Sequence, residues 1–207
     1  SLLRLQDGRI ALLHLRKSAF EDEGVDCRPW IRFSSDEAQT WSQPIDITKL
    51  PPSYLVVNND RLIQLKNGRL VLPVGLHRYQ NADGKKVGLD MRGIVIFFLS
   101  DDGGATWRES KEIIFPLSHK ITTGYQEPGA IELADGRIFA WFRTSDGAQH
   151  GSYSEDFGDT WSHPFRVHHF PSMHSPLSMK AHPETHELFA VWADLDPRWN
   201  VKQQEGS

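Results

Sequence analysis

Apolar residues in this chain come in short runs that alternate with polar ones, and turn residues break the runs at nearly regular intervals. Leu5-Gln6-Asp7-Gly8-Arg9-Ile10, Leu65-Lys66-Asn67-Gly68-Arg69-Leu70 and Leu133-Ala134-Asp135-Gly136-Arg137-Ile138 each set Asp-Gly or Asn-Gly between two such runs, the strongest short-range hairpin signal. A second signature, Ser-x-Asp-x-(Gly/Ala)-x-Thr-Trp, spans Ser34 to Trp41, Ser100 to Trp107 and Ser154 to Trp161, with Ala38 where the later copies carry Gly104 and Gly158. It predicts a tight turn between strands: the Asp carboxylate accepts amides two residues on, Gly takes a positive φ, and the Trp buries its ring. The most apolar run, Gly93 to Leu99, predicts a buried strand.

Both signatures recur in the same order, so each unit reads as strand, Asp-Gly turn, strand, loop, strand, Asp-signature turn, strand. The pattern predicts an all-β chain, a β-propeller of four-stranded antiparallel sheets. The units fall at about 1–50, 55–117, 124–170 and 174–199 within a single domain over 1–207, the fourth running through Ser178 to Trp192. About three and a half sheets fall short of the four to eight of a closed propeller, so the ring is expected to be completed by further parent sequence or by another chain.

Composition narrows the function classes. A net charge of −4 with 24% charged residues gives no basic surface for nucleic acid. No apolar run approaches the roughly eighteen residues of a membrane span. The single cysteine, Cys27, excludes an internal disulfide. No signal-peptide pattern opens the chain, whose first residues read as already inside a strand. His168, His169, His174, His182 and His186 have no ligand-like spacing with a carboxylate or cysteine, so neither a metal nor a cofactor is expected.

Up-and-down sheets bring the start of each innermost strand and the end of the next strand to one end, opposite the Asp-Gly turns. Counting from the turn glycines puts Arg16, Lys17, Asn58, Asn59, Asp60, Arg61, His77, Arg78, Glu127 and Arg143 there. Polar groups converging on loops of a rigid β scaffold are the default binding site. The spacing leaves two readings of Glu127 and Arg143 open, an ion pair tying two inner strands or a pair facing a ligand.

The Asp signature, with Gln126-Glu127-Pro128 before one inner strand and Arg143 sixteen residues after Glu127, resembles the sialidase (neuraminidase)-like propellers built from BNR or Asp-box repeats. The resemblance implies a six-bladed fold and an exo-acting glycoside hydrolase that removes terminal sialic acid or a related acidic sugar from glycans. It also implies roles. Glu127 is the base that activates a Tyr nucleophile from a later blade, and Arg143 belongs to an arginine triad on the substrate carboxylate. Asp22 is the acid/base in the acidic loop after Arg16, with Asp26 second to it and Glu21 and Glu23 also competing. Arg16 joins Arg143 at the carboxylate region, while the pocket-facing positions of Asn59, Arg61 and His77 read as substrate contacts or, equally, as a loop cap at Asn59 and Asp60 with an Arg61–Asp60 pair. The partner implied is a glycan, and a secreted or periplasmic location goes with it. Tyr125 is read as a wall residue, and Arg198 as a further residue able to face the centre. Two other readings accompany the first: a carbohydrate-binding propeller without turnover, and a glycosidase of the same fold acting on a different sugar.

Overall fold

A computed structural model of the chain describes residues 1–18, 26–51, 53–82 and 85–195. Among these residues there is no helix, and the strands are joined chiefly by antiparallel pairing. The first unit contributes β1 (Leu2–Arg4), β2 (Ile10–Lys17), β3 (Cys27–Ser34) and the short β4 (Ile45–Asp46). The second contributes β5 (Tyr54–Val56), β6 (Ile63–Gln64) and β7 (Leu70–His77), a small hairpin of β8 (Tyr79–Ala82) and β9 (Lys85–Leu89), then β10 (Ile94–Ser100) and β11 (Arg108–Glu109). The third is a four-stranded sheet of β12 (Gln126–Glu132), β13 (Ile138–Arg143), β14 (Ala148–Ser154) and β15 (Phe165–Pro171). β16 (Ser178–Ala181) and β17 (Leu188–Val191) form a two-stranded sheet. The first two units are not separate sheets, because one parallel bridge, Cys27 to Tyr54, joins β3 to β5. In the second unit the innermost strand is interrupted: β5 and β6 both pair with β7, and residues 57–62 loop out between them.

Alternation along the strands decides how the sheets stack. On β2, Ala11 and Leu13 are buried while Leu12, His14 and Arg16 occupy the other, more open face. Ala11, Leu13, Ile31 and Phe33 pack against Leu70, Leu72, Val74, Ile96 and Phe98 of the second unit. The second unit's opposite face carries Val71, Val95, Phe97 and Leu99 against Ala130, Ile138, Ala140 and Phe142 of the third. The third then packs Ile131, Phe139 and Trp141 against Leu177 and Met179. Being covered on both faces, β7 and β10 read as nearly continuous apolar runs, and each large side chain so buried contributes about 1.5–3 kcal/mol.

Turn chemistry holds the strand pairs at one end. Gly8, Gly68 and Gly136 have φ of 88°, 91° and 88°. In each turn the preceding Asp or Asn Oδ1 accepts the amide of Arg9, Arg69 or Arg137. The Ser-Asp signature is built differently from the expected amide two residues on. Asp36, Asp102 and Asp156 each accept the amide and the hydroxyl of the Thr four residues later, while the leading Ser hydroxyl takes the amide of residue 38, 104 or 158. That closes an Asp-Thr ring, and it fixes the following Trp: Trp161 stacks on Phe97 at 3.9 Å between ring centroids. The second and third units are also tied across this rim, Arg69 and Arg108 of the second pairing with Asp159 of the third at 3.1 Å and 2.6 Å.

Ala38 carries φ 65° where its counterparts are glycines at 93° and 94°. The left-handed region costs a residue with a Cβ about 1–2 kcal/mol, so Ala38→Gly is expected to raise the thermal midpoint by about 2–4 °C. Gly104→Ala is expected to lower stability by about 3 kcal/mol, because its Cβ would meet the Phe33 ring at a positive φ. Thermal unfolding followed by circular dichroism checks both.

The Thr40 hydroxyl and amide hold the Asp36 carboxyl at about 2, and the Thr106 hydroxyl and amide do the same for Asp102, against an ordinary 3.8. A carboxyl lowered by folding adds stability above its unfolded pKa and loses it as pH falls through the folded one. The thermal midpoint is therefore expected to drop between about pH 4 and pH 2, and to drop less steeply in an Asp36→Asn, Asp102→Asn double variant. Parallel pH profiles of the two proteins decide it.

Candidate functional site

At the sheet end opposite the Asp-Gly turns, β12 opens with an irregularity that aims its side chains. Gln126 is the strand partner of Arg143, regular pairing resumes at Gly129 with Trp141, and Glu127 between them has φ 47°. A bulge of this kind re-aims a side chain at a local cost of order 1–3 kcal/mol. Pro128 supports it by packing against Gly75 of β7, and Gly129 leaves room for the Trp141 ring.

The bulge surrounds Arg143. Its Nε lies 3.1 Å from Glu127 Oε2, an ion pair that leaves that oxygen without a hydrogen bond among the described residues. NH2 donates to Gln126 Oε1, and NH1 donates to the His174 carbonyl at 2.9 Å, reaching the segment ahead of β16. Gln126, in turn, donates through its amide to the Met91 carbonyl. Gln126 was absent from the sequence-derived set, although it belongs to the same Gln-Glu-Pro tripeptide as Glu127.

Arg61 comes from the loop between β5 and β6. It is only 3% exposed, yet it carries a guanidinium. NH2 donates to the Leu177 carbonyl at 2.9 Å, which also accepts the Trp141 indole N–H at 2.8 Å, and the guanidinium carbon sits 5.6 Å from the Trp141 ring. Its Nε has no hydrogen-bond partner among the described residues. Burial pulls the Arg61 pKa below its ordinary value while the charges of Glu127 and Asp60 push it back up. Asp60 is itself paired with Lys180 at 2.9 Å. Arg143 thus pairs with Glu127, while Arg61 feels the charges of Glu127 and Asp60 without an ion pair to either among the described residues.

His77 ends β7 in a buried position. Its Nδ1 lies 3.1 Å from the Asp90 carbonyl, which can only accept, so Nδ1 carries the proton. Burial chiefly, and then the Arg143 charge, lower the His77 pKa, while the Asp90 carbonyl and the charges of Asp90 and Glu127 act the other way. The neutral imidazole therefore keeps an Nε2 lone pair. Asp90 carries two more arginines, Arg78 at 2.7 Å and Arg92 at 2.8 Å. The Arg92 hydrogen bonds hold its carboxyl far below the usual range.

Glu127, Arg143, Arg61 and His77 are thus brought into electrostatic contact, with Gln126 added. No hydrogen bond or ion pair among the described residues joins Arg16 or Asn59 to this group. Arg16 is exposed, on the face of β2 opposite Leu13, and lies 4.5 Å over the Trp30 ring. Asn59 is an exposed turn residue beside Ser1, Leu15 and Asn58. Asp22, Glu21, Glu23 and Arg198 lie outside the described residues. Asp26 is taken up by Arg28 at 2.7 Å and by the Ser53 amide. Tyr125 is no pocket wall. It is a core residue, stacked 5.0 Å from Phe142, and burial raises its pKa far above the ordinary value. Its hydroxyl lies 3.0 Å from His150 Nδ1, and His150 Nε2 lies 2.8 Å from Asp146, a buried relay that the sequence pattern did not single out.

Residues 2–198 match the family described as BNR repeat-like domain. The chain belongs to that family, and its fold is that of the sialidases. A protein of unknown function from Dyadobacter fermentans superposes with a TM-score of 0.63 at 18% identity, over 93% of this chain and 59% of its own. The Trypanosoma rangeli sialidase gives 0.60 at 16% identity, over 88% and 32%. The intramolecular trans-sialidase of Ruminococcus gnavus, in complex with oseltamivir carboxylate, gives 0.57 at 20%, over 89% and 42%. The chain therefore spans less than two thirds of each of these proteins.

Replacing a buried charge by an apolar side chain of similar volume is often neutral, whereas removing the counter-ion of a buried pair strands its cation. Arg61→Met is accordingly expected to change stability by no more than about 1 kcal/mol. Glu127→Gln is expected to cost about 2 kcal/mol, the buried-pair value discounted for partial exposure. Urea unfolding of the two variants tests the ranking, and a costlier Arg61→Met contradicts it.

Proposed function

We propose, taking membership of the BNR repeat-like family as the premise, that this chain forms part of a six-bladed sialidase-like propeller that hydrolyses a terminal sialic acid or related acidic sugar from glycans. The observation that carries this reading is the charge imbalance at the strand ends. Arg61 is buried with no ion pair among the described residues, and Glu127, whose charge it feels together with that of Asp60, is paired with Arg143, so a buried cation here needs an anion. A ligand carboxylate supplies it, and a planar guanidinium donates two parallel charge-assisted bonds to one. The R. gnavus neighbour, whose ligand is a carboxylate, supports the same chemistry.

In this reading Arg143 turns toward the substrate carboxylate with Gln126 steering it, and Arg61 supplies further positive charge. Glu127, released from Arg143, accepts the proton of a Tyr contributed by another part of the complete propeller. A Tyr needs such a base because its ordinary pKa, near 10, leaves it protonated at neutral pH. Tyr125 is not that nucleophile, since its hydroxyl is spent on His150. Neutral His77 accepts a hydrogen bond from a sugar hydroxyl or amide. Arg16 and Asn59 are outlying contacts, and Asp22 is the proton donor to the leaving oxygen.

A binding-only propeller is the second reading: Arg143 spends a donor on each of Glu127, Gln126 and His174, and a ligand carboxylate need only displace these contacts to bind, whereas turnover also needs Glu127 freed as a base. Release of the fluorophore from a fluorogenic sialoside, by the longest polypeptide that carries this chain, separates the readings. Hydrolysis that falls by about 10²–10⁴ in Glu127→Gln is the expected result. A folded protein that binds sialylated glycan without releasing fluorophore refutes the hydrolase and leaves the binding propeller.

A further inference from the structure

The short segment that follows the β8–β9 hairpin, Asp90 to Gly93, touches the centre from two sides. The Asp90 carbonyl faces His77 Nδ1 at 3.1 Å, and the next carbonyl, that of Met91, accepts the side-chain amide of Gln126. Successive peptide groups thus serve one strand of the second unit, β7, and one of the third, β12. Gly93 then joins the third unit directly: its N–H donates to the Thr123 carbonyl at 3.0 Å, and its carbonyl accepts the Tyr125 amide at 2.8 Å. That approach leaves no room for a side chain. A Cβ on Gly93 would stand 2.4 Å from the Tyr125 carbonyl oxygen and 3.2 Å from His77 Cε1, and one on Gly124 would stand 2.3 Å from the Gly93 carbonyl oxygen.

Charge holds the other end of the segment. The Asp90 N–H donates to the Arg78 carbonyl at 2.8 Å and closes the base of the hairpin. The Asp90 carboxylate accepts Arg78 NH2 at 2.7 Å and Arg92 NH2 at 2.8 Å on Oδ2, and the Arg92 amide at 3.0 Å and Nε at 2.9 Å on Oδ1. Its side chain is 6% exposed, whereas those of Arg78 and Arg92 are 65% and 61% exposed. An enclosed carboxylate depends on charge-assisted partners, while water serves the two guanidiniums without it. The arginines therefore hold the carboxylate, and the carboxylate holds the backbone whose carbonyls reach His77 and Gln126.

We infer that Asp90 is a positioning residue for the centre: its carboxylate, gripped by Arg78 and Arg92, sets residues 90–93 so that two successive carbonyls fix the proton on His77 Nδ1 and hold Gln126 against Arg143. His77 then presents a bare Nε2, and Arg143 keeps one orientation through Gln126. The consequence for a ligand rests on the acidic-sugar reading of the Arg61–Arg143 centre. The placement of the His77 proton does not.

Nitrogen NMR of protein isotopically labelled in its histidine rings reads that proton, with a His77→Gln variant assigning the signals. The unaltered protein is expected to show His77 neutral, protonated at Nδ1 and bare at Nε2. Asp90→Asn keeps the side-chain shape and frees both arginines, and it is expected to turn this single form into a mixture of the two tautomers. An Arg78→Gln, Arg92→Gln double variant removes the grip from the other side and is expected to do the same. Both of its sites are exposed, so it answers the question if Asp90→Asn does not fold. A general loss of stability would leave the tautomer of the folded protein unchanged. Persistence of the pure Nδ1–H form in either folded variant overturns the inference, as does a bare Nδ1 in the unaltered protein. Titration calorimetry with N-acetylneuraminic acid reads the ligand side: Asp90→Asn is expected to bind about tenfold more weakly, a difference of about 1.4 kcal/mol. Equal affinity in the two proteins overturns the role of Asp90 toward the ligand. If the unaltered protein binds no acid, the acidic-sugar reading fails, and the His77 signals alone decide the positioning claim.

Discussion

The backbone of Glu127 is the constraint on which the centre depends. At φ 47° it sits in a region that residues with a Cβ avoid, and it stays there because both sides of the strand are fixed. On one side Gln126 is paired with Arg143 and its side-chain amide is held by the Met91 carbonyl. On the other, Pro128 packs on Gly75 and Gly129 admits the Trp141 ring. With the backbone so set, Gln126 and Glu127 can both address the same guanidinium, where a regular strand would send them to opposite faces. Arg143 then links the inner strand to the segment ahead of β16, and Arg61 reaches the same segment from the second unit. The sheets are pinned at one end by carboxylate-capped turns and at the other by two arginines.

That division of labour explains why the Ser-Asp signature is uninformative about chemistry. Its carboxylates are consumed by Thr amides and hydroxyls, far along the strands from Glu127, and Trp107 and Trp161 lean on the cores between units. The signature stacks the sheets with their strand ends aligned. The reactive groups then follow from what the loops place at the free end, as is general for sites carried on β scaffolds.

Much of this was legible in the residues because the chemistry is local. The Asp-Gly and Asn-Gly turns, the apolar strand at Gly93 to Leu99 and the pairing of Glu127 with Arg143 depend on short spacings that a chain states directly. Counting from turn glycines places residues by strand end alone and does not follow strands that are irregular. In the second unit, β5 and β6 are split by a loop, so the count from Gly68 lands on exposed Asn59, whereas Arg61 two residues on is the side chain that reaches the Leu177 carbonyl. Arg16 alternates with Leu12 and His14, away from Ala11 and Leu13, and rests on Trp30. Gln126 was missed because a regular strand sends it to the face opposite Glu127 and only the irregularity at Glu127 brings both to Arg143, and the Tyr125–His150–Asp146 relay because Tyr125 reads as an ordinary core aromatic.

The central proposal is that the centre holding Arg61 and Arg143 takes a ligand carboxylate. A crystal structure of the protein soaked with N-acetylneuraminic acid tests it most directly. The account predicts the sugar carboxylate within about 2.7–2.9 Å of guanidinium nitrogens of Arg143, with Arg61 within a few ångströms and Glu127 turned toward the ring. An acid bound elsewhere, with Arg143 still held by Glu127, Gln126 and the His174 carbonyl, would contradict it.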